Sequence, residues 1–194
     1  MDMSLVRRRL RQALGAHVVQ FSYHSVTEGV TENTHRLSRF IDRQQAATVH
    51  LVGHSLGGVL ALKTLRRFPT DKISRVVCLG SPLVDSSAAR TFSRWSLGRK
   101  MVGQTLREAV LEDPLQSTDE HPDVGVIAGT IGLGLGLLVG RLDKPHDGVV
   151  TEQETKLPGI TDHLVLPVNH FGMLVSREVA AQTASFLRDG KFQH

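Results

Sequence analysis

The stretch that most constrains this chain is Val49-His50-Leu51-Val52-Gly53-His54-Ser55-Leu56-Gly57-Gly58-Val59-Leu60. An apolar run of strand type stops at Gly53, a polar pair follows, and Gly57 and Gly58 open a segment with helical composition. The pattern predicts strand, sharp turn and helix, with a serine at the apex. Such a turn lifts the side chain clear of both backbones, and Gly53 and Gly57 are small enough to let strand and helix pass closely.

The residue types suit nucleophilic chemistry. A serine hydroxyl is a weak nucleophile, so it needs a base within hydrogen-bond reach and an open approach for a carbonyl carbon. At a helix N-terminus, the free backbone N–H groups can also stabilise a developing oxyanion. Gly-x-Ser-x-Gly alone is a weak pattern, since an ordinary turn can contain it. Its place between an apolar strand and an apolar helix is what gives it meaning.

In this setting Gly53-His54-Ser55-Leu56-Gly57-Gly58 resembles the elbow of the α/β-hydrolase family, in its bacterial lipase and esterase branch. The resemblance implies a mostly parallel sheet with helices on both faces, and site residues in the order serine, acid, histidine. It covers most of the chain by order of elements, from about His17 onward.

At 194 residues the sequence fits one domain, short for this fold. The expected organisation is a single α/β-hydrolase domain over 1–194, with 83–123 as a lid-like insertion. The net charge of +4 reflects an Arg-rich start, Arg7-Arg8-Arg9 and Arg11, and further arginines between Arg90 and Arg107. No basic stripe is interleaved with aromatic residues, so nucleic acid is not an expected partner. Cys78, the single cysteine, sits in the apolar run Val76-Val77-Cys78-Leu79 and reads as a buried small hydrophobe. Neither a disulfide, a zinc pattern nor a signal peptide is read from the sequence, and a cytoplasmic protein without cofactor or metal is expected.

Along the chain, Leu5, Val6, Leu10 and Leu14 predict a helix that stops at Gly15. His17 to Tyr23 has strand composition, and Thr31 begins an amphipathic helix with Leu37, Phe40 and Ile41 on one face, ending near Gln45. Thr48 to Val52 is the strand into the elbow, Gly58 to Phe68 the helix out of it, and Ile73 to Leu79 a buried strand without alternation. Leu83 to about Asp123 is irregular and carries Trp95 and several turn formers. The family resemblance implies a lid or acyl-pocket wall there.

Val124 to Gly129 predicts another strand, running into the uncharged segment Thr130 to Gly140. The uncharged run is shorter than the roughly 20 residues a membrane span needs, and its glycines weaken an isolated helix. It reads instead as a strand entering an apolar loop near the site mouth, suited to transient contact with a lipid surface or an acyl chain. His163 to Val168 is the last strand, and Met173 to Leu187 the last helix, with Leu174, Val175, Val179 and Phe186 facing inward.

In a parallel α/β sheet the working residues stand beyond the carboxyl ends of the strands. His170 occupies such a place, between the last strand and the last helix. Its Asn169-His170-Phe171-Gly172-Met173-Leu174 setting resembles the family pattern at the catalytic histidine. His54 lies inside the elbow and reads as packing. His50 and His163 lie at or within strands, His17 begins one, and His24, His35, His121, His146 and His194 fall in loops, a surface helix or the tail. The acid belongs between Ser55 and His170. Asp147 heads Asp147-Gly148-Val149-Val150, similar to the family's sequence at its aspartate, although an Asp-Gly turn is common in any protein. Asp85 is the alternative, with Asp143 and Asp162 behind it.

The resemblance therefore implies a Ser55, Asp147, His170 triad cleaving acyl esters, with the Leu56 N–H as one oxyanion donor and no cofactor. The second donor in this family comes from an upstream strand ending in His-Gly, which this sequence lacks. A start lying further upstream is the expected explanation, and a diverged hydrolase is the other. Two functional readings stay open beside the esterase or lipase: a lipid- or protein-binding module with an impaired site, and a thioesterase or acyltransferase using the same triad. Oligomeric state is left open.

Overall fold

A computed structural model describes residues 3–24, 27–84, 115–118, 122–132 and 145–194. The elements in chain order are α1 (Ser4–Leu14), α2 (Val30–Asp42), β1 (Val49–His54), α3 (Leu56–Arg67), β2 (Ile73–Leu79), β3 (Asp123–Gly129), β4 (Asp162–Leu166) and α4 (Arg177–Asp189). Short 3-10 turns cover Gln153–Thr155 and Gly172–Leu174.

Among the described residues four strands form one sheet in the order β1-β2-β3-β4, parallel at every pairing. Every site loop after a strand therefore leaves from the same end of the sheet. Helices cover both faces, and β2 shows why its sequence is apolar throughout. Val76 and Cys78 join a core with Leu37, Ile41, Val59 and Leu60 from α2 and α3. Val77 and Leu79 enter the opposite core with Val179 and Phe186 of α4. A strand buried on both sides loses the polar alternation that marks a half-exposed one. β3 repeats the arrangement, with Val126 on the first face and Ile127 on the second.

α1 packs against α4. Val6 and Leu10 are buried with Leu174 and Ala184, and Gly15 ends α1 at φ 61°, the left-handed conformation that glycine adopts freely. Cys78 is fully buried, and burial pushes its thiol up to about 12, leaving it an inert core side chain.

Three expectations need correction. The segment 17–23 is not a strand. Its side chains are placed as those of a strand would be, with Val18 packing on the α1–α4 side and Phe21 and Tyr23 on the α2–α3 side. Phe21 lies 5.2 Å from Phe40, ring to ring. Among the described residues it has no backbone neighbour: β1 pairs with β2 alone, and the Val18 carbonyl accepts from Arg11 Nη2 at 3.1 Å instead. Strand composition reports burial on a two-sided layer, not the presence of a partner to pair with.

The last helix does not run unbroken from Met173. A 3-10 turn comes first, and α4 starts after Ser176, whose Oγ accepts from the Val179 N–H at 3.2 Å as an N-cap. Val175 falls in the break and is 59% exposed, so it belongs to no inner face. The third is the close approach of strand and helix expected at Gly57, where an added Cβ would meet nothing within 4 Å. Of the predicted insertion 83–123, residues 85–114 and 119–121 lie outside the described residues, as does 133–140 of the apolar run. Among the described residues, no helix is long and apolar enough to cross a membrane.

Candidate active site

Ser55 joins β1 to α3. Its backbone is at φ 55°, ψ −128°, and among the described residues it alone combines positive φ with a side chain. An L-residue in such a conformation costs about 1–3 kcal/mol, so the surroundings must over-determine it. They do so from both directions: the Ser55 N–H donates to the Leu79 carbonyl at 2.8 Å, and its own carbonyl accepts from Gly58 N–H at 3.1 Å. The turn is thereby pinned to the end of β2 and to the first turn of α3. With Ser55 as N-cap, the Leu56 N–H leads α3, where an N–H has no intrahelical acceptor.

The glycines divide their work differently from the expectation. A Cβ on Gly53 would meet the Gly57 carbonyl carbon at 2.5 Å and the Gly58 nitrogen, which is helix backbone that cannot turn aside. On Gly58 it would strike the Ser81 hydroxyl and come within 3.0 Å of Cys78 Sγ. On Gly57 it would meet nothing within 4 Å. Gly53 and Gly58, not Gly57, carry the close approach of strand and helix. The doubled glycine is the signal in the sequence, but which of the two faces the sheet depends on helix phase.

Asp147 lies within the turn at 145–151, where His146 and Thr151 form an isolated bridge, and is 1% exposed. Oδ1 accepts from the Val149 N–H at 2.9 Å and the Val150 N–H at 2.8 Å, and Oδ2 lies 2.7 Å from His170 Nδ1. Gly148 at φ 100° allows the chain to fold back so that both amides reach one oxygen. The local sequence Asp-Gly-Val-Val thus has a mechanical meaning: the turn holds the carboxylate with one oxygen occupied and the other free to face an imidazole.

His170, 2% exposed, follows β4 and is fixed at several points. Its N–H donates to the Asp147 carbonyl at 2.9 Å, and the Asn169 Oδ1 accepts from Gly172 N–H at 2.7 Å to shape the following turn. Because Oδ2 is a carboxylate oxygen, Nδ1 is the protonated nitrogen, and Nε2 is left with its lone pair. His54 stands against it, with ring centroids 4.5 Å apart and Nε2 2.9 Å from the His170 carbonyl oxygen. Burial, with His170 close by, lowers the His54 pKa to about 4, so the ring is neutral at ordinary pH.

Gly80 closes the cluster from the end of β2. It is at φ 52°, and a Cβ there would lie 2.8 Å from Asp147 Oδ2, 3.0 Å from Met173 Sδ and 3.2 Å from His170 Nδ1. The acid–imidazole pair therefore occupies the space a side chain would take, one residue beyond the carbonyl that anchors Ser55. The structure brings Ser55, Asp147 and His170 to one end of the sheet, although no Ser55 Oγ–His170 hydrogen bond is formed among the described residues.

Of the other acids, Asp162 is drawn elsewhere: it accepts from His163 N–H and Phe192 N–H at 2.8 Å each and contacts His194. Asp85 and Asp143 lie outside the described residues. Among the described histidines, His163 Nε2 meets Thr155 Oγ1 at 2.8 Å, and His146 Nδ1 accepts from Gly148 N–H at 3.1 Å. Among the described residues, no group of three or more His, Cys, Asp or Glu side chains is placed to hold a metal ion.

The fold has many structural neighbours. A Bacillus licheniformis lipase in its mature form superposes with a TM-score of 0.61 at 19% identity, over 83% of this chain and 74% of the lipase. The chain spans 42% of the same lipase in its propeptide form. A pyrethroid hydrolase matches with a TM-score of 0.58 at 14% identity, over 97% and 92% of the two chains. A type II thioesterase from the borrelidin biosynthetic cluster matches at 0.52 and 16%, over 84% and 71%. At these identities the likeness is one of fold, the α/β-hydrolase fold. No curated protein matches the chain by sequence. The family model of the PGAP1-like alpha/beta domain matches residues 20–133, more than half of the sequence and including the whole turn at Ser55, and the chain belongs to that family.

Proposed function

We propose that this chain is a serine hydrolase that cleaves small acyl esters through an acyl-enzyme. Ser55 is the nucleophile, His170 the general base and then acid, Asp147 the group that orients the imidazole, and the Leu56 N–H an oxyanion donor. The observation that carries the reading is the strained Ser55 turn set beside a buried Asp147–His170 pair 2.7 Å apart. Strain concentrates where function requires it, and a buried carboxylate aimed at one imidazole nitrogen leaves the other as a base.

In the proposed cycle, His170 Nε2 takes the Ser55 proton as Oγ attacks the ester carbonyl. Asp147 stabilises the imidazolium that forms, and the Leu56 N–H faces the oxyanion. Collapse of the tetrahedral intermediate sends the proton from Nε2 to the departing alcohol. Water, deprotonated by the same nitrogen, then releases the carboxylic acid. The exposed side chains of Phe171 and Val175, 46% and 59% accessible, lie just past His170 and favour a substrate with an apolar acyl part.

The test is turnover of p-nitrophenyl esters of increasing acyl length, with a matching thioester, by the wild type and by Ser55→Ala and His170→Ala. The reading predicts ester hydrolysis that falls at least about 1000-fold in each variant. Hydrolysis that survives Ser55→Ala would contradict it, and preference for the thioester would move the substrate class to thioesters with the same residues in the same roles.

A further inference from the structure

The nucleophile and the base reside on loops 115 residues apart in sequence (55 to 170). Their relative placement must be set by something that spans them. His170 is held at its N–H and its Nδ1 by Asp147 alone, and neither bond reaches the elbow. His54 does reach across. It is the residue before the nucleophile, it is 7% exposed, and its Nε2 lies 2.9 Å from the His170 carbonyl. A carbonyl oxygen only accepts, so Nε2 carries the proton. His54 Nδ1 is buried and has no hydrogen-bond partner among the described residues, consistent with a neutral ring that keeps this one tautomer.

We propose that His54 is a positioning residue: its Nε2–H bond to the His170 carbonyl, together with the ring contact at 4.5 Å, holds the base in register with the turn that carries Ser55. The reaction proceeds through Ser55 and His170, and His54 touches neither substrate nor transferred proton. The inference rests on the serine hydrolase reading for its consequence in rate, and on geometry alone for the bond. A misplacement of about 1 Å in a reacting pair is enough to cost on the order of 100-fold, which is the scale at stake.

The test compares His54→Phe, which keeps a ring and loses the donor, with His54→Gln, whose amide nitrogen stands the same number of bonds from Cα as imidazole Nε2. Should His54→Phe not fold, His54→Met serves as the variant without a donor. The readouts are the rate of Ser55 modification by a fluorophosphonate, separated into its binding constant and its maximal rate, and the far-downfield proton resonance of His170 Nδ1–H. The expected result is a maximal rate lowered about 10- to 100-fold in His54→Phe with the binding constant unchanged, and recovery in His54→Gln. A wild-type rate in the variant without a donor, or equal losses in both variants, would overturn the proposal. If the folded wild type is not modified at all, the hydrolase reading fails separately. The resonance then decides: loss or displacement in the donor-less variant with retention in His54→Gln supports the bond, and an unchanged resonance in both overturns it.

Discussion

Asp147 divides its carboxylate between two tasks: Oδ1 accepts two amides from its own turn, and Oδ2 lies 2.7 Å from His170 Nδ1. The division separates the cost of holding the acid in place from its action on the imidazole. Asp147→Asn can keep the first task, since its Oδ1 still accepts from Val149 and Val150. Its NH₂ then faces Nδ1 and imposes the wrong tautomer on His170. We expect circular dichroism and thermal melting close to wild type, with ester turnover lower by about 10,000-fold, as a wrong tautomer produces in a serine triad. Turnover within tenfold of wild type would remove Asp147 from the mechanism.

Gly80 tests the same pair from the other side. A methyl group there points at both Asp147 Oδ2 and His170 Nδ1, and φ 52° disfavours any side chain. Gly80→Ala should lower stability in urea by roughly 1–3 kcal/mol. It should also slow Ser55 modification, because the space it needs is the space the acid–base pair fills.

The elbow glycines predict opposite outcomes four residues apart in sequence. Gly53→Ala places a methyl group on helix backbone, so soluble yield and thermal stability should collapse. Gly57→Ala meets open space and gains helix propensity, worth at most about 1 kcal/mol. Equal melting temperatures for the two variants would refute the packing described for the turn.

Much of the fold is legible in the sequence. β2 has the expected bounds, and the strand–turn–helix around Ser55 is where the motif places it, because a fully apolar run and a doubled glycine leave few alternatives. Asp147-Gly148-Val149-Val150 and the His170 setting stand out in the sequence by their resemblance to the hydrolase family, and each proves to be a local turn with its own side-chain hydrogen bonds. What escaped was whatever depends on the rest of the molecule. Residues 17–23 have the composition of a strand but no neighbour to pair with among the described residues, a property of the sheet and not of the segment. The contact from His54 to His170 spans the chain and leaves no periodic trace, so His54 reads as packing until the distance is known.

Stability should depend on pH through His54. Its pKa falls from 6.5 to about 4 on folding, so the unfolded chain binds more protons between those values. The contribution is fully present above about pH 6.5, declines as pH falls toward about 4, and levels off below. Its size is at most about 3 kcal/mol. His50 and His163, also lowered by burial, act in the same direction. Urea midpoints measured across this range should fall less steeply in His54→Gln than in the wild type, and parallel curves would show that His54 titrates normally.

The most direct test of the central claim is mass-spectrometric localisation of a fluorophosphonate adduct. The account predicts a single adduct on Ser55 in the folded wild type, absent from Ser55→Ala and at least about 1000-fold slower in His170→Ala. No adduct on Ser55 in demonstrably folded protein, or an adduct that forms equally fast without His170, would contradict it.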